Sequence, residues 1–375
     1  MKRSELPTPC FVVGEAALRK NLEILSGLQR RTGCKVLLAQ KAFSMFSVYP
    51  LLAKYLSGAS ASGLYEARLA KEEMGGENHV FSPAYTDAEM EKLVGICDHI
   101  VFNSFSQLER HRARWQKSGA SVGIRVNPEC STQQGHEIYD PCAPFSRLGV
   151  TRANFRPDLL DGVEGLHFHT LCEQNSGDLV RTFEAFERAF GEFLPRMKWL
   201  NLGGGHHITK PDYDISALDE LLYYIRAKYG LQVYLEPGEA VALNAGWLDT
   251  TVLDVVENGM PILILDTSAA CHMPDVLEMP YRPPLPGAGE PGEKAVTCRL
   301  AARTCLAGDV IGDYSLDSLP RIGDRLTFGD MAIYSMVKTN TFNGMPLPAI
   351  ALLREDGDCE LVRTFDYEDF KGRLS

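Results

Sequence analysis

The chain lacks any apolar run long enough to span a bilayer. Stretches such as Met260 to Leu265 fall far short of the ~20 residues a membrane helix needs. The opening Met-Lys-Arg-Ser-Glu-Leu-Pro is followed by no apolar core of a secretion signal, so the expectation is a cytoplasmic protein. The 10 cysteines form no C-x-x-C pair, and a disulfide framework belongs mainly to short secreted chains. Positive charge is in the minority, 38 Lys and Arg against 49 Asp and Glu. A net charge of −11 argues against a nucleic-acid partner, because phosphate neutralisation needs clustered cations. It suits a cationic substrate. There is no internal repeat, no low-complexity tract and no G-x-G-x-x-G dinucleotide turn.

Short β-like runs are present instead, each followed by an amphipathic segment. They are 35–38, 58–62, 79–81, 99–102, 121–126, 165–169, 199–202 and 232–235. Leu179, Phe183, Phe186, Phe190 and Phe193 recur at spacings of four and three, the mark of a buried helical stripe. Ile215, Leu218, Leu222 and Ile225 repeat it, with Gly230 placed to end that helix. Alternating strand and helix implies a parallel sheet. Eight units fit a (β/α)8 TIM barrel, which takes about 250 residues. A doubly wound open sheet is the alternative, and periodicity does not separate the two.

Beyond Asn258 the texture changes. Pro and Gly crowd 280–292, and short β-like runs follow at 295–301, 325–328, 331–334, 349–353 and 361–365. This predicts an antiparallel β domain, a sandwich or small barrel. The expected division is a barrel over 14–257 and a β domain over 258–375, joined by a strand near 9–13.

Active sites of such barrels lie at the C-terminal ends of the strands. Lys41 follows the first strand, where it is either a rim lysine or one that bonds covalently to a carbonyl, its amine activated by desolvation. The sixth strand carries His167 and His169 on one face, a pair suited to metal, to stacking on a flat ring, or to a hydrogen-bonded core. The seventh ends in Gly203-Gly204-Gly205-His206-His207, a turn whose amides suit an anion. The eighth ends in Glu236-Pro237-Gly238-Glu239, where a carboxylate can pair with a protonated ring nitrogen. Arg303-Thr304-Cys305 places a thiol beside a turn, as proton donor or as small buried hydrophobe. Lys41, His169, Gly203 to Gly205 and Glu236 together describe one site for a phosphorylated pyridine aldehyde.

That set resembles the alanine-racemase-like, fold-type III pyridoxal phosphate (PLP) enzymes. Within them, four strings are similar to the carboxynorspermidine/carboxyspermidine decarboxylases: Asp266 through Pro283, Gly165 through Gln174, Gly203 through His206, and Glu236 through Ala240. The resemblance implies PLP carried on Lys41, with His169 on the ring, Gly203, Gly204, Gly205, His206 and Tyr334 near the phosphate, and Glu236 on the ring nitrogen. It implies that Cys305 acts across a homodimer interface and that the substrate is a polyamine-like amino acid. No metal is implied.

Two departures bear on specificity. Ornithine-type enzymes usually carry Arg at the position of Glu239, and Asp at that of Leu306. The expected contacts for a substrate amine are therefore Glu239, Asp266, Asp275, Glu278 and Asp309. The rival readings are a racemase or diaminopimelate/ornithine-type decarboxylase of the same fold, a PLP-binding regulator, and a metal hydrolase using His167, His169 and His206.

Overall fold

A computed structural model describes residues 1–133 and 137–375. It divides into two compact units, one of Asn21–Val241 and one of Met1–Lys20 with Ala242–Ser375. The first strand, β1 (Cys10–Gly14), and the start of the helix Glu15–Thr32 thus belong with the C-terminal half.

The central unit is a closed barrel of eight parallel strands. These are β2 (Lys35–Ala39), β3 (Gly58–Ala61), β4 (Glu77–Phe81), β5 (His99–Phe102), β6 (Ser121–Arg125), β7 (Gly165–His167), β8 (Trp199–Asn201) and β9 (Gln232–Leu235). Closure is made by β9 on β2, with Lys35 opposite Tyr234 and Val36 opposite Leu235. The TIM barrel read from the sequence is therefore the fold, and the open sheet is not.

Leu37, Val101, Trp199 and Tyr234 pack together as a buried cluster, with Phe81 against them. The Trp199 indole fits because β7 begins with glycine. A Cβ on Gly165 would lie 2.1 Å from the Trp199 ring. Its Nε1–H donates to Ser121 Oγ at 2.8 Å, so the buried indole leaves no polar atom unpaired.

Two helices carry the stripes seen in the sequence. Ser176–Phe190 buries Leu179, Phe183, Phe186 and Phe190, and Phe193 continues the stripe in the following 3-10 turn. Ile215–Tyr229 is capped by Asp214 and stops at Gly230, whose φ of 69° is the left-handed value glycine adopts freely.

The second unit is one eight-stranded sheet in the order β13-β12-β11-β10-β1-β15-β16, with β14 on β10. The added strands are β10 (Gly246–Glu257), β11 (Pro261–Leu265), β12 (Val296–Ala302), β13 (Val310–Leu316), β14 (Arg325–Gly329), β15 (Ala349–Leu353) and β16 (Cys359–Arg363). The sheet is mixed, not wholly antiparallel: β1 runs parallel to β15, and β11 to β12. Its core gathers Phe11, Leu248, Leu263, Leu300, Tyr314 and Phe328.

Three local expectations change. Strand β10, expected inside a barrel domain ending at 257, pairs with β1, β11 and β14. The run 331–334 is not a strand, because Asp330 (φ 52°) and Tyr334 (φ 50°) both turn left-handed. The run Val310–Leu316 is a strand despite Gly312 and Asp313. The glycine leaves room for the Arg282 stem, and Asp313 pairs with Arg299.

Candidate active site

Strand ends of the barrel unit bring one constellation together. Lys41 follows β2, whose end is fixed by Gln40: its amide donates to Glu66 O at 3.0 Å and accepts from Tyr49 Oη at 3.1 Å. Lys41 is exposed at the surface of the site, yet heavily desolvated by the protein around it. The crowding governs its proton affinity. Desolvation first, then the Arg125 charge, lowers its pKa, while Glu236, Cys172 and Glu239 pull the other way. A lysine so placed has an enlarged neutral fraction, the form that attacks a carbonyl.

Glu236 follows β9 and is buried. Burial alone would raise its pKa, but His167, Asn201, His79 and Ser60 outweigh that and hold it below the usual carboxylate range. Asn201 Nδ2 donates to Oε1 at 2.8 Å, and His167 Nε2 lies 3.6 Å from Oε2. Glu236 is therefore a buried anion whose close hydrogen bond comes from the neutral Asn201 amide, able to receive a cationic N–H. His167 is fully buried, and burial pushes it down to about 4. It stays neutral near pH 7.

Past the end of β7, His169 accepts the Gly204 N–H on Nδ1 at 3.0 Å. Burial, with Lys41 and Arg125 adding to it, lowers its pKa well below the ordinary value. The ring is thus neutral, with its proton on Nε2. Beneath it, Arg125 ends β6. Its guanidinium lies 4.6 Å from the centre of the Phe81 ring and donates to His169 O at 3.2 Å. Burial brings Arg125 down to about 10, which leaves it charged at neutral pH.

The glycine turn is dictated by crowding. A Cβ on Gly204 would meet Glu236 O at 2.1 Å, and one on Gly205 (φ 82°) would meet Leu171 O at 1.9 Å. The Gly203 N–H is committed to Asn201 Oδ1 at 2.8 Å, and that of Gly204 to His169. Among the described residues, the N–H groups of Gly205 and His206 have no acceptor. The anion site foreseen over Gly203 to Gly205 is thereby narrowed to the far end of the turn. The His206 ring does not add to it: Nδ1 meets Tyr213 Oη at 3.1 Å.

Glu239, expected to meet a substrate amine, is instead ion-paired through Oε2 to His207 Nε2.

The remaining expected residues lie in the sheet unit. Cys305 is exposed on the loop from β12 to β13, its N–H donating to Asn343 Oδ1 at 2.8 Å. Asp309 is buried with both oxygens engaged, by Ser268 Oγ and Thr304 Oγ1 at 2.6 Å and by Ala270 N–H at 3.1 Å. Asp266 Oδ1 accepts from Thr250 Oγ1 at 2.6 Å and Thr251 N–H at 2.9 Å. These bonds tie Asp266 to β10 and Asp309 to the segment Ser268–Ala270 and to its own loop. Asp275 and Glu278 are partly exposed and share Lys338 Nζ, at 2.5 and 2.7 Å. Tyr334 stands at its left-handed position, a conformation costly for a bulky residue.

The sequence reading missed Arg125, Asn201 and His207. The first had a usable signal, a single cation closing the apolar run Ser-Val-Gly-Ile-Arg. Asn201 and His207 flank the glycine turn and were passed over for the glycines. A second cluster, Glu77, His79 and His99, brings its ligand-type atoms within 4.8 Å of one another. Lys35 already neutralises Glu77, and the imidazoles stack at 3.9 Å and 12°, so their in-plane lone pairs run side by side. We read this cluster as a polar layer of the barrel.

Comparison with known proteins gives a consistent result. The model of the pyridoxal-dependent decarboxylases, described by their C-terminal sheet domain, matches residues 46–332. A carboxyaminopropylagmatine decarboxylase of Synechocystis sp. is 44% identical, over 99% of this chain and 96% of its own. A carboxynorspermidine/carboxyspermidine decarboxylase of Campylobacter jejuni is 41% identical, over 98% of this chain and 99% of its own. The crystal structure of carboxynorspermidine decarboxylase from C. jejuni, complexed with norspermidine, superposes with a TM-score of 0.92 at 40% identity, covering 98% of this chain and 100% of that one. No described helix is long and apolar enough to cross a membrane. The activated lysine, the neutral ring of His169, the buried Glu236 anion and the free amides suit an aldehyde, a flat ring, a pyridinium and a phosphate, and the chain belongs to the fold-type III pyridoxal phosphate-dependent decarboxylases, alongside those named for carboxynorspermidine and carboxyspermidine.

Proposed function

We propose that this enzyme decarboxylates carboxynorspermidine or carboxyspermidine, giving norspermidine or spermidine. The observation that carries this is the full-length likeness to the C. jejuni enzyme complexed with norspermidine. A second reading has its own observation. The Synechocystis relative is named for carboxyaminopropylagmatine, which ends in a guanidinium instead of an amine.

Pyridoxal phosphate, when bound, supplies the electron sink for the charge left as CO2 departs. Lys41 offers the amine that holds it. Glu236 keeps the ring nitrogen's proton in place, and its own anionic state is held by Asn201 and His167. His169 offers a neutral face to the ring. The Gly205 and His206 amides receive the phosphate, with Tyr334 as a further partner. Cys305 Sγ delivers the proton that replaces CO2. Its loop is fixed by Asn343 and, through Thr304, by Asp309. In this proposal the protein is a homodimer, and Cys305 serves the partner's barrel.

Asp275 and Glu278 are the residues assigned to the distal cation. They already hold the Lys338 ammonium, so their geometry suits an alkylammonium, and two carboxylates against one lysine leave a net negative charge. One methylene separates the two candidate products, which a pocket discriminates by about 1–3 kcal/mol.

The test is CO2 release from carboxynorspermidine, carboxyspermidine, carboxyaminopropylagmatine, ornithine and diaminopimelate. The highest kcat/KM is expected for one of the first two. A clear preference for the third adopts the guanidino reading. Preference for ornithine or diaminopimelate overturns both.

A further inference from the structure

One charged pair beside the glycine turn has no role so far. His207 lies two residues past Gly205, and Glu239 closes Glu236-Pro237-Gly238. Their side chains are 11% and 14% exposed and meet as an ion pair. The two loops are also stitched through their backbones. Glu236 N–H donates to Gly203 O at 2.8 Å and Thr209 Oγ1 to Ala240 O at 2.7 Å, while His207 N–H donates to Gln174 O, in the segment after β7, at 3.2 Å. The pair is therefore held in place and mostly out of water.

A carboxylate beside an anion site works against it unless a cation stands with it. His207 is that cation. Its Nε2 is taken by Glu239, and its Nδ1 has no partner among the described residues. Burial lowers the proton affinity of the ring, but the bond to Glu239 and the charges of Glu239 and Glu173 outweigh it and raise the pKa, against a smaller effect of Lys210. His206, also adjacent, is neutral, pushed down to about 4 by burial. The unpaired amides of Gly205 and His206 lead directly into His207. Three donors in consecutive residues thus lack acceptors, two neutral and one charged.

We propose that His207, ion-paired to Glu239, is the cationic partner of the cofactor's phosphate, and that Glu239 acts on the phosphate only through His207. This rests on the placement of the phosphate at the Gly205–His206 amides. It gives Glu239 a role different from the substrate contact expected from the sequence.

The experiment measures binding of pyridoxal phosphate and of pyridoxal, which lacks the phosphate, to the apo forms of wild type, His207→Gln and Glu239→Gln. Circular dichroism confirms the fold of each. A wild-type preference for pyridoxal phosphate establishes the phosphate grip itself. His207→Gln is expected to weaken pyridoxal phosphate at least tenfold, about 1.4 kcal/mol, and to leave pyridoxal unchanged. Equal losses for both ligands, or no loss, overturn the proposal while the phosphate placement stands. Glu239→Gln is expected to lose affinity for pyridoxal phosphate at a lower pH than wild type does, because the buried imidazolium gives up its proton sooner without its carboxylate. The 31P resonance of the bound phosphate should show that titration at lower pH in Glu239→Gln than in wild type. Identical pH dependence in the two proteins overturns the role of Glu239. No substrate enters these measurements, so an error in substrate assignment leaves them untouched.

Discussion

The loops that follow the barrel strands and the loops of the sheet unit both carry charged residues, and they use them differently. In the barrel, Lys41 and Glu236 have no strong counter-ion in hydrogen-bonding contact. Burial, with the Arg125 charge adding to it, sets the state of Lys41, and His167 and Asn201 hold Glu236 ionised against its burial, so both remain available to a ligand. In the sheet unit, Asp266 Oδ1 and both oxygens of Asp309 accept from hydroxyls and amides of neighbouring strands and loops, whereas Asp275 and Glu278 share the single Lys338 ammonium and keep one negative charge over. A buried charge with its bonds filled is scaffolding, and one left short is poised for chemistry. The comparison predicts that barrel substitutions disturb the cofactor and that sheet-unit substitutions disturb turnover, substrate or folding.

The largest effect is expected for Lys41→Ala, which should abolish the visible absorbance of covalently held cofactor together with all CO2 release. A retained band in that variant would break the barrel half of the comparison. Glu236→Gln should follow, with kcat down by about 10²–10³-fold, because it removes a buried anion from the ring nitrogen. Its cofactor spectrum should shift, and an unchanged spectrum would place Glu236 elsewhere. Cys305→Ala should keep the cofactor and lose about 10²–10⁴-fold in turnover, the usual size of a proton-transfer contribution. Full activity would make Cys305 structural.

Smaller effects probe the acidic residues. Asp275→Asn with Glu278→Gln should raise KM for the polyamine substrate by about 10–100-fold, the weight of lost charged hydrogen bonds, with pyridoxal phosphate affinity unchanged. Loss of cofactor instead would move the pair to the barrel's side of the comparison. Asp309→Ala strands two hydroxyls and one amide and should cost about 1–3 kcal/mol. In a unit of this size that is a fall of about 2–12 °C in Tm. A raised KM without a change in Tm would return Asp309 to the substrate.

The sequence alone narrowed the first unit to a closed barrel or an open parallel sheet, and the pairing of β9 with β2 decided for the barrel. Apolar runs alternating with 3.6-period stripes leave few ways to bury both faces of a parallel sheet, and strand ends then fix where Lys41, His169, the glycine turn and Glu236 must gather. It did not settle the sheet unit. There β1 pairs with β15 across more than three hundred residues, and no local pattern encodes such a partner. For the same reason the acidic residues could be named from the sequence but not sorted. Whether Asp309, Asp275 or Glu239 is free depends on Ser268, Lys338 and His207, which lie 41, 63 and 32 residues away along the chain. Composition and periodicity decide what is buried. Only the tertiary structure decides which buried charge has found its partner, because that partner is a neighbour in space and not in sequence.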